Sequence, residues 1–149
     1  MELLVQLQNQ RERILAYYEL PESELSKTYG PGKWSVRQIL HHLADAETVL
    51  YDRIRRTISK PHQVLWGFDQ DAWSEALDYA HFPLEINKAI FTAVREGVIY
   101  LAEKHYEEKG HFPFVHSNTG LKDLKHLFDK VLWHGDRHLE QIERALIRP

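Results

Sequence analysis

Trp34-Ser35-Val36-Arg37-Gln38-Ile39-Leu40-His41-His42-Leu43-Ala44-Asp45-Ala46-Glu47 opens with the best helix-start signal in the chain. Ser35 and Gln38 stand at capping-box spacing, where the hydroxyl and the side-chain amide reciprocally satisfy orphan backbone N–H groups. Trp34 before the cap and Ile39 four positions after it fit a hydrophobic staple. Val36, Ile39, Leu40, Leu43, Leu50 and Ile54 then share one helical face. The spacing predicts a helix running to about Ser59, where Pro61 forbids much continuation.

Three further segments on either side carry the same period. The first helix is expected from about Glu2 to Tyr18, with Leu4, Leu7, Ile14, Leu15 and Tyr18 turned inward. Pro21 closes it, Pro21 to Lys27 can form a short extra turn, and Tyr29-Gly30-Pro31-Gly32 breaks the chain. After the second helix a long connection, Lys60 to Pro83, carries Trp66, Phe68, Trp73 and Phe82. So many aromatics imply a connection packed on the bundle and covering one end, with a short helix near Asp69 to Leu77. The third long helix is expected from Pro83 to Lys109, with Ile86, Ile90, Val94, Val98 and Leu101 as its core stripe. Gly110 suits a left-handed closing position. The last helix, Leu121 to Ile147, is built on Leu124, Phe128, Val131, Leu139, Ile142 and Leu146. No strand-like alternation lasts long enough to predict a sheet. The expectation is an all-α four-helix bundle forming one domain, residues 1–149, with the long aromatic-rich connection between helices two and three. That connection is long enough to cross the bundle, so simple up-down order is not imposed.

Composition narrows the function. The chain is 43% apolar with a net charge of −3, enough to fill one core and too apolar to be disordered. Lys and Arg are interspersed with Asp and Glu, which argues against a nucleic-acid partner. Arg53, Arg55 and Arg56 form the densest basic cluster and read as a solvated helix face. No apolar run approaches the ~20 residues needed to cross a bilayer, so no membrane partner is expected. Glu2 stands where a signal peptide wants positive charge, and the expected location is the cytoplasm. The chain has no cysteine. Disulfides, thiolate metal sites and a cysteine nucleophile are excluded, and any metal must use imidazole and carboxylate.

Ten histidines make that last point matter. His134 and His138 are four apart, so on a helix their rings lie one above the other and can converge on one spot. Gly135 between them faces inward and would let another helix approach closely. In the second helix His41 points nearly opposite to the core stripe, whereas His42 lies on its flank. His42 is therefore the candidate third ligand and His41 the solvated one. Three neutral imidazoles leave a coordination position open, as a reactive site requires; the alternative is three histidines satisfied within the core.

The Trp34 to Glu47 stretch, taken with Trp133-His134-x-x-x-His138-x-x-Gln141-Ile142, resembles the DinB-like (YfiT/DinB) superfamily over nearly the whole chain. The resemblance implies a four-helix bundle holding a divalent metal, often nickel or zinc, by one histidine of the second helix and two of the last: here His42, His134 and His138. It also implies an enzyme using a low-molecular-weight thiol such as bacillithiol, mycothiol or glutathione to act on a small-molecule substrate as an S-transferase, with hydrolase as the nearest rival chemistry. Dimers are frequent in the family, so a homodimer is expected. The competing reading is a non-catalytic metal-binding or dimerisation module.

Glu47 falls on the inward face among Leu40, Leu43 and Leu50. It is either an orienting partner or base for the site, or an edge carboxylate that snorkels to solvent or pairs with Arg or Lys. Asp45 is expected at the surface. Gln141, one turn past His138, either lines the site or is a plain helix-face amide. The histidines at 62, 81, 105, 111, 116 and 126 fall in loops, at helix ends or on polar faces and read as solvated. The four tryptophans read as core or lid packing, with contact to the second helix or a subunit neighbour as the alternative for Trp133, which lies off the main stripe.

Overall fold

The computed structural model describes all 149 residues. Four long helices form its frame: α1 (Glu2–Tyr17), α3 (Val36–Ser59), α5 (Leu84–His105) and α6 (Leu124–Ile147). A single turn, α2 (Glu22–Leu25), follows α1, and α4 (Gln70–Ala76) lies in the long connection. The capping box of α3 is formed: Ser35 Oγ accepts from Gln38 N, and Ser35 N donates to Gln38 Oε1 at 2.8 Å. This fixes the first turn of α3 less than two turns before His42. At the head of α6, Asp123 accepts the His126 N–H at 2.9 Å.

α3 packs chiefly against α5 and α6, and α1 also packs chiefly against α5 and α6. α1 and α3 are therefore diagonal in the bundle, as are α5 and α6. The long connection joins neighbours, and it is the connections from α1 to α3 and from α5 to α6 that cross. Two apolar clusters fill the interior. One is built around Ile14, Leu40, Phe91 and Leu139, and the other around Leu7, Leu50, Phe114 and Phe128.

A small sheet is present that the sequence reading did not anticipate. β1 (Val64–Leu65) pairs parallel with β2 (Pro113–His116), which pairs antiparallel with β3 (Gly120–Asp123). Its strands are two and four residues long, too short for alternation to register. Leu65 and Phe114 anchor it in the second cluster. Gly120 takes a φ of 86° at the start of β3, which a side chain would oppose. Because β3 occupies residues 120–123, α6 begins at Leu124 rather than Leu121.

Two other expectations change. α5 buries Leu84, Asn87, Phe91, Arg95, Val98 and Ala102, so its inward stripe is rotated away from the Ile86 phase, and Ile86 is exposed. Two of those inward residues are polar because their partners lie on other helices. Gly110 is not left-handed. A Cβ there would sit 2.3 Å from the Tyr106 carbonyl oxygen, so close packing is what requires glycine.

One buried polar network ties all four long helices together. The Arg95 guanidinium on α5 bonds both carboxylate oxygens of Glu47 on α3, at 2.5 and 3.1 Å. It also donates to the Leu7 carbonyl and to Gln10 Oε1 on α1. Gln10 Nε2 in turn donates to the Leu132 carbonyl and Asp136 Oδ1 on α6, each at 2.8 Å. Gly135 makes room for this: a Cβ there would lie 2.2 Å from Gln10 Oε1.

Candidate metal centre

His42 near the start of α3 meets His134 and His138 in the middle of α6. The ring centroids form a near-equilateral triangle with sides of 4.9, 4.7 and 4.5 Å. One ring nitrogen from each lies within 4.8 Å of the other two, and His42 Nε2 is 2.9 Å from His134 Nε2. A tetrahedral ion with bonds of about 2.0–2.1 Å separates its nitrogens by roughly 3.3 Å, a value that this spread brackets. All three sequence-predicted side chains are thus brought to one point.

Burial keeps these rings neutral. The His42 pKa is lowered to about 3 by burial and then by His138. His134 falls well below its ordinary value through burial, then through His138, His42 and nearby cations. His138 is also lowered by burial, against an opposing hydrogen bond to Gln141. Neutral imidazole is the form that can donate a lone pair to a metal. The Gln141 carbonyl accepts from His138 Nδ1 at 2.7 Å, which places the proton on Nδ1 and leaves Nε2 free. The ring of His42 has no such hydrogen bond, and its Nδ1 is buried without a partner. Aromatic rings hold it instead, Trp34 at 5.0 Å and a stacked Phe68 at 6.2 Å.

His41 is not solvated. It is fully buried, with Nδ1 2.8 Å from Asn87 Nδ2 and its ring against Tyr79 and Phe82. The face of α3 opposite the histidine cluster is covered by α5 and by the end of the long connection, so α3 is buried on both sides. Asp45 is likewise drawn inward, half-buried and accepting the Tyr79 hydroxyl. Glu47 is committed to Arg95 and does not line the site.

These buried histidines set a pH dependence. The pKa of His41 is lowered to about 4 by burial, then by Arg37. Between pH 6.5 and about 4 the unfolded chain binds more protons than the folded one, so stability is lost as pH falls. His41 alone accounts for about 3 kcal/mol by pH 4. Burial raises the pKa of Asp45, which opposes the trend with one group against four. Urea unfolding of metal-free protein should give a clearly lower midpoint at pH 4.5 than at pH 7.5. A flat profile would contradict the burial described.

The cluster opens into a cavity of about 700 Å³. Trp34, Phe68, Trp133 and Gln141 form part of its wall, and Arg53, Lys130, His116, Arg137 and Lys33 bring cationic and imidazole groups to it. Arg53 corrects the sequence reading: Arg55 and Arg56 are exposed beside Asp52, but Arg53 is buried. Its position held the signal. It follows His42 by eleven residues, about three turns, and so lies on the same face of α3. His116 is half-buried in β2 rather than solvated, and its Nδ1 accepts the N–H groups of Asn118 and Thr119.

Fold and site define a class, that of four-helix bundles with a three-histidine cluster lining a cavity. The chain belongs to the DinB superfamily, which it matches over residues 6–142. It is 32% identical over 127 residues to a protein of Oceanobacillus iheyensis provisionally named a metal-dependent hydrolase, covering 85% of this chain and 73% of that one. A similarly named protein of Halalkalibacterium halodurans is 26% identical over 129 residues, covering 87% and 75%. In structure the chain resembles YfiT from Bacillus subtilis, described as a probable metal-dependent hydrolase with an unusual four-helix bundle topology. The TM-score is 0.88 at 23% identity, over 97% of this chain and 83% of that one.

Proposed function

We propose that the chain is a metal-dependent enzyme in which His42, His134 and His138 hold one divalent ion, nickel or zinc, facing a small-molecule substrate. The observation that carries this is the convergence of three neutral imidazoles on the wall of a cavity large enough for such a molecule. A divalent ion in such a site supplies Lewis acidity and makes a nucleophile available at neutral pH. The chain does the rest. Gln141 holds the His138 ring in the tautomer that presents Nε2, and Trp34 and Phe68 hold His42 and shield it from water. Three ligands leave a position open to a reactant.

The finer assignment is transfer to a low-molecular-weight thiol, with hydrolysis as its rival. The lack of cysteine fits a thiol supplied from outside, while the names of the relatives support water as the nucleophile. Tag-free protein should carry about one divalent ion per chain by inductively coupled plasma mass spectrometry. Nickel- and zinc-loaded samples are then offered an electrophile with bacillithiol, mycothiol or glutathione, and separately a panel of esters and amides. Thiol-dependent turnover supports the transferase, and turnover in water alone supports the hydrolase. Metal without turnover of either kind, alongside a stable homodimer, would identify a binding module. No metal, and none regained on adding divalent ions, would sink the reading.

A further inference from the structure

The geometry points to an anion-binding subsite in the same cavity, made by Arg53 and Lys130, that grips the substrate by a carboxylate or phosphate group. That the bound anion belongs to a substrate rests on the function proposed above; the anion site itself does not.

Arg53 is 5% exposed. Its only side-chain hydrogen bond is from Nη2 to the Trp66 carbonyl at 2.7 Å, and its Nε is buried with no partner at all. No carboxylate stands within ion-pair distance of Arg53 or Lys130, nor of Lys33 or Arg137 at the same cavity. A buried guanidinium without a counter-charge is costly, and this chain shows elsewhere how it meets that cost: Arg95, fully buried, is paired with Glu47. Arg53 has no such internal partner, yet it lines the cavity, where a ligand can supply one.

Its neighbours sharpen the point. Lys130 is half-buried and lines the same cavity as Arg53, and its pKa is lowered by burial and then by Arg53 and Lys122. Asp71 is the one acidic residue lining this cavity, in a chain whose net charge is −3. The positive field is a local arrangement, then, and does not follow from composition. His116 adds a neutral donor: its Nδ1 accepts two backbone N–H groups, leaving the ring proton on Nε2. A guanidinium fork and an ammonium facing one cavity are the groups that recognise carboxylate and phosphate oxygens.

The spacing gives the ligand a length. Lys130 lies one turn, about 6 Å, before His134 on α6, and Arg53 lies roughly 16 Å along α3 from His42. The anionic group is therefore carried some 6–16 Å from the atom that meets the three histidines, which selects elongated anionic molecules over small neutral ones.

The test is an NMR titration of the full-length chain, stripped of metal and at low ionic strength, with inorganic phosphate in one arm and succinate in the other. Saturable shifts centred on Arg53 Nε–H and the Gly67 amide are expected, and the tighter arm identifies the group. Lys130→Gln should weaken binding about 10-fold, the loss of one charge-assisted contact. Arg53→Gln should weaken it further. Because Arg53 also holds the Trp66 carbonyl and its replacement can disturb the fold, Lys130→Gln carries the decision. The inference is overturned by absence of saturable binding in both arms, by binding that needs added metal, or by a folded Lys130→Gln protein that binds as the parent does. His134→Ala should keep the anion site while losing metal, so a failure of the metal centre and a failure of the anion site read out separately.

Discussion

Replacing His134 with alanine is expected to strip the protein of most of its divalent metal. Two imidazoles and solvent hold such an ion far less tightly than three imidazoles. Since loss of a residue that merely orients a ligand costs about 10–100-fold in affinity, loss of the ligand itself should exceed that range. Gln141→Ala, which frees the His138 ring without removing it, should fall within the range. His41→Ala should destabilise the fold yet leave stoichiometry untouched, because His41 turns toward Asn87 and away from the cluster. Competition against a chromophoric chelator orders the three variants. Full metal content in His134→Ala, or loss of metal in His41→Ala, would mean that the ligand set is wrong.

The second large effect is on stability. Arg95→Leu should cost about 3–5 kcal/mol, because it leaves the Glu47 carboxylate buried and unpaired. The double variant Glu47→Leu/Arg95→Leu should recover part of that loss, since removing both charges removes the desolvation penalty with the attraction. Recovery will be incomplete, because the guanidinium also satisfies the Leu7 carbonyl and Gln10. Urea unfolding of the three proteins measures the coupling directly. A cost below about 1 kcal/mol for the single variant would mean that the network contributes little to holding the bundle together.

The contrast between Arg95 and Ile86 shows where sequence reading succeeds and where it stops. α3 was legible almost to the residue, because its start rests on a local contact, Ser35 with Gln38, and its stripe is apolar. α5 was legible as a helix but not in phase. Its inward face carries Asn87 and Arg95, which count against burial until their partners, His41 and Glu47, are known. Those partners lie on another helix, and no local pattern announces them. His41 was misplaced for the same reason: the apolar stripe marks one face of α3, while the cover on its other face comes from residues such as Tyr79, Phe82 and Asn87 far along the chain. The convergence of His42, His134 and His138 was legible because helical spacing fixed two of them and the flank of the stripe selected the third. Arg53 was hidden by its exposed neighbours Arg55 and Arg56, although its three-turn offset from His42 was available.

His42 and His134 stand 92 positions apart in the chain. Segments so distant meet late and slowly, after the entropy of closing the intervening loop has been overcome. An ion that needs all three rings finds nothing to hold in a chain still searching for its fold. An ion held there would therefore leave the rate of refolding to the bare polypeptide and act on the reverse step, lengthening the lifetime of the native state. On the proposed ligand set, the histidine cluster is a latch closed on a finished structure, not a template on which the structure is built.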